Sequence, residues 1–139
     1  MASVQWPGSR QIYFIGDPNM SEEEKLAAVQ KDGYAIGHIM NPSERVQLAA
    51  VQQNGLAIAY IKNPSEIAQL AAVQQDGRSI RHIENPTERV QIAAVKQHPY
   101  AIAFIYNPSE RVRRAARGES IDESFEDAID RIINEAFGD

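Results

Sequence analysis

The chain has 139 residues, 43% of them apolar, no cysteine and a formal charge of −5. That length suffices for one compact domain or one short repeat array, and the lack of cysteine excludes structural disulfides and thiolate metal sites. A reducing, cytoplasmic setting is expected: residues 1–10 lack the apolar stretch of a secretory signal, and no run of about 18 apolar residues offers a membrane span.

The charge is unevenly placed. Residues 118–139 hold eight acidic side chains and one arginine, whereas residues 78–117 hold eight Lys/Arg against three Glu. A basic stretch therefore adjoins an acidic tail.

After an N-terminal segment, 1–10, the stretch QIYFIGDP (11–18) looks like the end of a repeat running into the next Asp/Asn-Pro, and SEEEKLAAVQKDGYAIGHIM (21–40) is a divergent unit. Three units of 22 residues follow without insertions: NPSERVQLAAVQQNGLAIAYIK (41–62), NPSEIAQLAAVQQDGRSIRHIE (63–84) and NPTERVQIAAVKQHPYAIAFIY (85–106). A half unit, NPSERVRRAAR, occupies 107–117. The array thus covers 11–117, and the fold class expected is all-α, a short α-solenoid of helix-turn-helix repeats.

Within a unit, Asn41 reads as an N-cap, Pro42 as the first helical residue and Glu44 as the third position of a capping box, giving a helix from about 42 to 53. Asn54-Gly55 should stop it through a left-handed glycine, with Asp32-Gly33 and Asp76-Gly77 repeating the device. His98-Pro99 departs from that pattern. A shorter helix near 56–62 should follow, ended by the restriction on the residue before the next proline.

On the longer helix, Val46, Ala49 and Ala50 lie on one side and Leu48 with Val51 nearly opposite, the mark of a helix buried between two neighbours. Glu24 replaces the Val46-type residue in the first unit, whereas Arg114 and Arg117 replace the Leu48 and Val51 types in the last. The Val46 side should therefore face the preceding unit and the Leu48/Val51 side the following one.

Residues 119–138 form a longer amphipathic helix, with Phe125, Ile129, Ile132, Ile133 and Phe137 at helical spacing. Its acidic face and the arginines 114 and 117 suggest a helix folded back as a C-terminal cap; the competing reading is a homodimer formed through the apolar face.

The pattern NPSE-x-x-QLAAVQQ-x-G-x-x-I-x-x-I resembles the short two-helix repeats of bacterial and phage proteins known as domains of unknown function, and is distantly similar to leucine-rich variant repeats. The resemblance spans about three quarters of the chain. It implies architecture and no catalytic residues; a phage-type inhibitor that occludes a host protein is an extension resting on it alone.

Candidate functional positions are those of the short helix that packing does not need. They are Tyr34, Gly37 and His38; Leu56, Ala59 and Tyr60; Arg78, Arg81 and His82; and Tyr100, Ala103 and Phe104. The last of each triplet, preceded by Phe14, makes a ladder of rings. Solenoids bind partners along such rows, and Tyr, His and Arg are efficient contact residues. The plainer alternative is that the rings shield seams between units.

A second row, Arg45, Ile67, Arg89 and Arg111 with Gln52, Gln74 and Lys96, is mildly basic. Ile67 interrupts it and glutamates flank it, so nucleic-acid binding ranks below protein binding. His38 and His82 lie two units apart and cannot share a metal ion, so neither a metal nor another cofactor is expected. No nucleophile with a base and an orienting partner can be assembled, and an enzyme is not expected. The leading expectation is a non-enzymatic module that binds another protein.

Overall fold

A computed structural model describes residues 17–120 and 123–137. Helices of two kinds alternate. Ten-residue α-helices, α1 (Glu22–Lys31), α2 (Glu44–Gln53), α3 (Glu66–Gln75) and α4 (Glu88–Gln97), are each followed by a six-residue 3-10 helix: η1 (Gly33–His38), η2 (Gly55–Tyr60), η3 (Gly77–His82) and η4 (Pro99–Phe104). The shorter α5 (Glu110–Ala116) closes the array, and α6 (Glu123–Ala136) follows. The α-helices pack on one another as one layer and the 3-10 helices as a second, each 3-10 helix also touching the next α-helix. The result is an all-α, two-layer solenoid.

The helices start two residues later than the sequence suggests. The N-caps are Ser43, Ser65, Thr87 and Ser109, whose hydroxyls accept from Val46, Ala68, Val90 and Val112 backbone N–H groups. Asn41 is no cap. It sits at φ 48°, as do Asn85 at 53° and Asn107 at 49°, and asparagine is among the few side chains that tolerate this left-handed region. The capping box survives only in the first unit, where Ser21 and Glu24 exchange both bonds.

The joint between the two helices also differs from expectation. Asp32, Asn54 and Asp76 are extended residues that end one helix and cap the next, each carboxylate or amide oxygen accepting from the N–H two residues on. The glycines that follow are not left-handed; among the described residues Gly118, at φ 78°, is the glycine that is. They are required by close approach. A Cβ on Gly33 would lie 2.6 Å from the Ala50 carbonyl oxygen of the next unit, and one on Gly77 would strike the Ala94 carbonyl.

The freed space lets the glycine N–H reach the next unit's last helical glutamine: Gly33 donates to Gln53 Oε1 at 2.7 Å, Gly77 to Gln97 Oε1 at 2.5 Å, and Gly55 to Gln75 in the same way. This explains His98-Pro99. The position equivalent to Gln97 in the next unit falls at Glu119, beyond the end of α5, so the fourth 3-10 helix has no glutamine to answer. Proline, which has no N–H to leave unpaired, fits there.

Burial confirms the stacking direction. In the first unit Leu26 and Val29 are buried; in the last, Val112 is buried while Arg114 and Arg117 are exposed. The core is a continuous file of Val, Leu, Ile and Ala side chains, including Val46, Leu70, Ile80 and Ile92.

A polar ladder crosses the outer edge of the α layer. Each Ser/Thr cap accepts its own helix's N–H, and three of them also donate to the glutamate one unit back: Ser43 to Glu22 at 2.6 Å, Thr87 to Glu66 at 2.7 Å, Ser109 to Glu88 at 2.7 Å. Arg45, Arg89 and Arg111 reach the glutamates of the preceding unit as well, at Glu23, Glu66 and Glu88. Ile67 stands where an arginine would complete this pattern.

Ile67 marks where α6 lies. The last helix lies over the outer face of the α layer against α3, not over the terminal unit where a C-terminal cap would sit. Ile129 and Ile133 are buried, with Ile132, Ala136 and Phe137 half-buried against the core. The terminal unit is closed by its own charges: Arg117 donates to Glu119 and Glu110, and Arg114 lies 3.8 Å from Glu119.

Candidate functional site

The 3-10 layer presents the array's most exposed large apolar side chains, because six residues of 3-10 helix can bury just one flank. In η2, Gly55, Ala57 and Ile58 are buried against the flanking α-helices, leaving Ala59 and Tyr60 outward and Leu56 half-buried. The same division holds in η1 and η3, where Tyr34 and His38, then Arg78, Arg81 and His82, are exposed. In η4 they are Tyr100 and Phe104. Phe14 lies outside the described residues, as does the Phe125 side chain.

The rings are shared between seam and surface. Tyr34 meets Tyr60 edge-on at 5.2 Å between centroids, and the Gly37 backbone packs against the Tyr60 ring base. Two seams along, the Arg81 guanidinium lies over the Phe104 ring, 6.0 Å from its centroid, while its Nε donates to His82 Nε2 at 3.1 Å. The first- and fourth-position residues of one unit thus hold the fifth-position ring of the next. Tyr60 nevertheless keeps 56% of its surface exposed and Tyr100 80%. The result is a row of rings held at the seams and open to solvent, interrupted in η3 by Arg78, Arg81 and His82.

Two exposed residues lie outside the positions expected from the sequence: Met40 at 74% and Tyr106 at 96%. Both occupy the last place of their units, just before the Asn-Pro turn, a position the helical periodicity does not reach. Met40 opens onto a groove of about 470 Å³ between the first two units, walled by Ile36, Gly37, Tyr60 and Ile61, with Lys62 at its side.

Cations on this face are partly committed. Arg78 is bound to Asp76 of its own helix start at 3.0 and 3.1 Å, an arrangement that holds the Asp76 carboxyl below its ordinary range and raises the Arg78 guanidinium. On the opposite face Arg45, Arg89 and Arg111 are engaged by glutamates. The Arg89 hydrogen bond holds Glu66 below the ordinary carboxylate range against the opposing effect of partial burial.

The structure keeps His38 and His82 on separate units, and among the described residues no group of three His, Asp or Glu side chains could hold a metal ion. Nor is any helix among them long and apolar enough to cross a membrane. Of the final-helix candidates, Ile129, Ile132, Ile133 and Phe137 come together on the α layer, remote from the ridge, while Arg114 and Arg117 stay at the terminal unit. Comparison with protein-family models, with curated proteins and with solved structures returns no match.

Proposed function

We propose that the chain is a non-enzymatic interaction module whose 3-10 face binds a segment of another protein. The observation that carries this reading is the ridge itself: Tyr34, Tyr60, Tyr100 and Phe104, joined by Met40 and Tyr106, expose apolar surface on one face of a rigid array. Contact residues that are ordered before binding lose little freedom on association, and Tyr and Arg are prominent among those that dominate interface energies. Nucleic-acid binding, which would recruit stacked rings together with uncommitted cations, is less well supported, since Arg45, Arg78, Arg89 and Arg111 already serve carboxylates.

The test is affinity capture from the native cell with wild-type chain and a Tyr60→Ser/His82→Ser/Phe104→Ser variant. A specific partner retained by the wild type and lost by a correctly folded variant is expected. Equal retention by both removes the ridge from consideration. Salt-sensitive retention of nucleic acid in place of protein would favour the second reading.

A further inference from the structure

The two ends of the array depart from its interior at facing positions and with opposite charge. Between inner units, Gln47 accepts from the Ser65 N–H of the next unit at 3.0 Å, and residues of the Leu48 and Val51 type pack toward those of the Val46 type. At the leading end the Ser21 N–H is taken by Glu24, which itself stands in the Val46 place. At the trailing end Arg113 stands in the glutamine place, and Arg114 and Arg117 in the Leu48 and Val51 places. Both halves of one interior contact have become ionic, acid on the leading end and base on the trailing end. Glu22 and Glu24 are held by neutral donors, the Ser43 hydroxyl and the Ser21 N–H, which do not cancel their charge. Arg114 and Arg117 touch Glu119 and Glu110 yet keep 45% and 54% of their side-chain surface exposed, and Arg113 is exposed beside them. Ends of like sign would hold copies apart; ends of opposite sign draw them together.

The 3-10 layer is open at the trailing end as well. Ile36, Ile58 and Ile80 keep 1%, 1% and 2% of their surface, each covered where the next 3-10 helix packs on its own, whereas Ile102 in η4 is half-buried. Tyr100 and Tyr106 lie exposed beside it. A sequence that suits this flank is present in the chain itself. Residues 11–18, QIYFIGDP, repeat Ile102, Phe104, Ile105 and Pro108 of AIAFIYNP (101–108) as Ile12, Phe14, Ile15 and Pro18. Residues 11–16 lie outside the described residues, and the match is one of sequence. The repeat pattern therefore opens on a 3-10-type half unit and closes on an α half unit, α5. A second copy placed after α5 supplies the half that follows the α-helix in every other unit.

We propose that the chain stacks head to tail, η4 and α5 of one copy receiving residues 11–16 and the start of α1 of the next. The ionic exchange then runs between Arg113, Arg114 and Arg117 of one copy and Glu22, Glu23 and Glu24 of the other. Phe14 of the incoming copy meets Tyr100 as Tyr60 meets Tyr34 within the chain. The contact joins two different surfaces and leaves one of each unfilled, so it continues as an open linear array. α6, which rests on α3, takes no part in the seam. Stacked copies present their 3-10 faces in one continuous row, and the seam itself does not depend on any partner bound there.

Sedimentation velocity of the full chain over a range of concentrations is expected to show mass rising past that of a dimer in low salt, with association weakened about tenfold or more at high salt. Glu24→Lys and Arg113→Glu/Arg114→Glu chains should each associate poorly. Their equimolar mixture should recover assembly, since both seams between unlike chains then pair opposite charges. Tyr100→Asp/Tyr106→Asp, two substitutions on exposed side chains, should abolish assembly while circular dichroism stays that of the wild type. Because the chain has no cysteine, Phe14→Cys and Tyr100→Cys chains mixed under mild oxidation should form the mixed disulfide in preference to either homodimer. A single-chain mass at every concentration in low salt, association indifferent to both charge reversals, or a statistical mix of disulfides overturns the proposal. So does association that stops at two chains, which would place the contact on a two-fold face such as the row of rings or α6.

Discussion

At the scale of single residues, the caps do two things at once, and that decides which residue each position accepts. Thr87 must accept from Val90 N–H and donate to Glu66. Asp and Ser are comparable as isolated helix caps, but a carboxylate cannot donate, and here it would face a second carboxylate. Thr87→Ser should therefore be nearly neutral, whereas Thr87→Asp should lower stability by about 1–2 kcal/mol, read from urea denaturation midpoints. Equal stabilities would mean that the hydroxyl bridge contributes nothing. Glycine offers a parallel case. Gly77→Ala drives a methyl group into the Ala94 carbonyl and should cost about 2 kcal/mol or more. Pro99→Gly meets no such obstacle and should cost under about 1 kcal/mol, through unfolded-chain entropy alone. Paired thermal melts check both.

At the scale of elements, the Glu–Arg–hydroxyl ladder makes the array sensitive to acid. Glu66 is held below its ordinary value mainly by the hydrogen bond from Arg89, and Asp76 and Glu119 are lowered by Arg78 and Arg117. A group whose folded value is depressed contributes stability that is present above the unfolded carboxylate range and disappears as pH falls through the folded value. The stability difference between wild type and Glu66→Gln should accordingly be present at neutral pH and fall away as pH drops through and below the ordinary carboxylate range. It should be small, at most about 1 kcal/mol, since both partners are partly exposed and screened. A difference that grows on acidification would contradict the assignment.

The elements also show what could be read in advance. The period, the C-terminal ends of the α-helices and the outward residues of the short helices follow from apolar spacing, and Leu26, Val112 and Arg114 sit where the stacking direction requires. The short helices were not legible as 3-10. Their eight-residue slot between an Asp/Asn cap and the next turn fixes tighter i→i+3 bonding, and propensity does not encode that. The two-residue shift of the caps was hidden because Asn41, Pro42 and Ser43 all belong to cap vocabulary; the choice depends on which oxygen reaches the preceding unit's glutamate. Glycine's role is hidden for a related reason. Its requirement comes from Ala50 and Ala94, carbonyls seventeen residues away in sequence, and no local signal reports them. For α6, the informative residue was Ile67, one apolar interruption of a charged row, whose meaning appears only once the helix is seen lying on it.

At the scale of the whole molecule, two faces of opposite construction result from one unit. The 3-10 face presents exposed rings interrupted by Arg78, Arg81 and His82; the α face is laced by charges except at a strip covered by the chain's own last helix. Each unit touches mainly its neighbours, so the faces are coupled through short, local contacts, as in one-dimensional arrays generally. At the C-terminal unit the closing charges come from outside α6: the arginines 114 and 117 take Glu119 and Glu110.

Pro99 carries a consequence for how such a chain can lengthen. A gene that duplicated residues 63–84 would insert a unit whose Gly77 offers an N–H to whatever glutamine comes next, and the seam would close. Duplicating residues 85–106 would place a proline ring against the following helix and leave that helix's glutamine without a donor. An added unit should therefore be tolerated better in the middle of the array than at its tail.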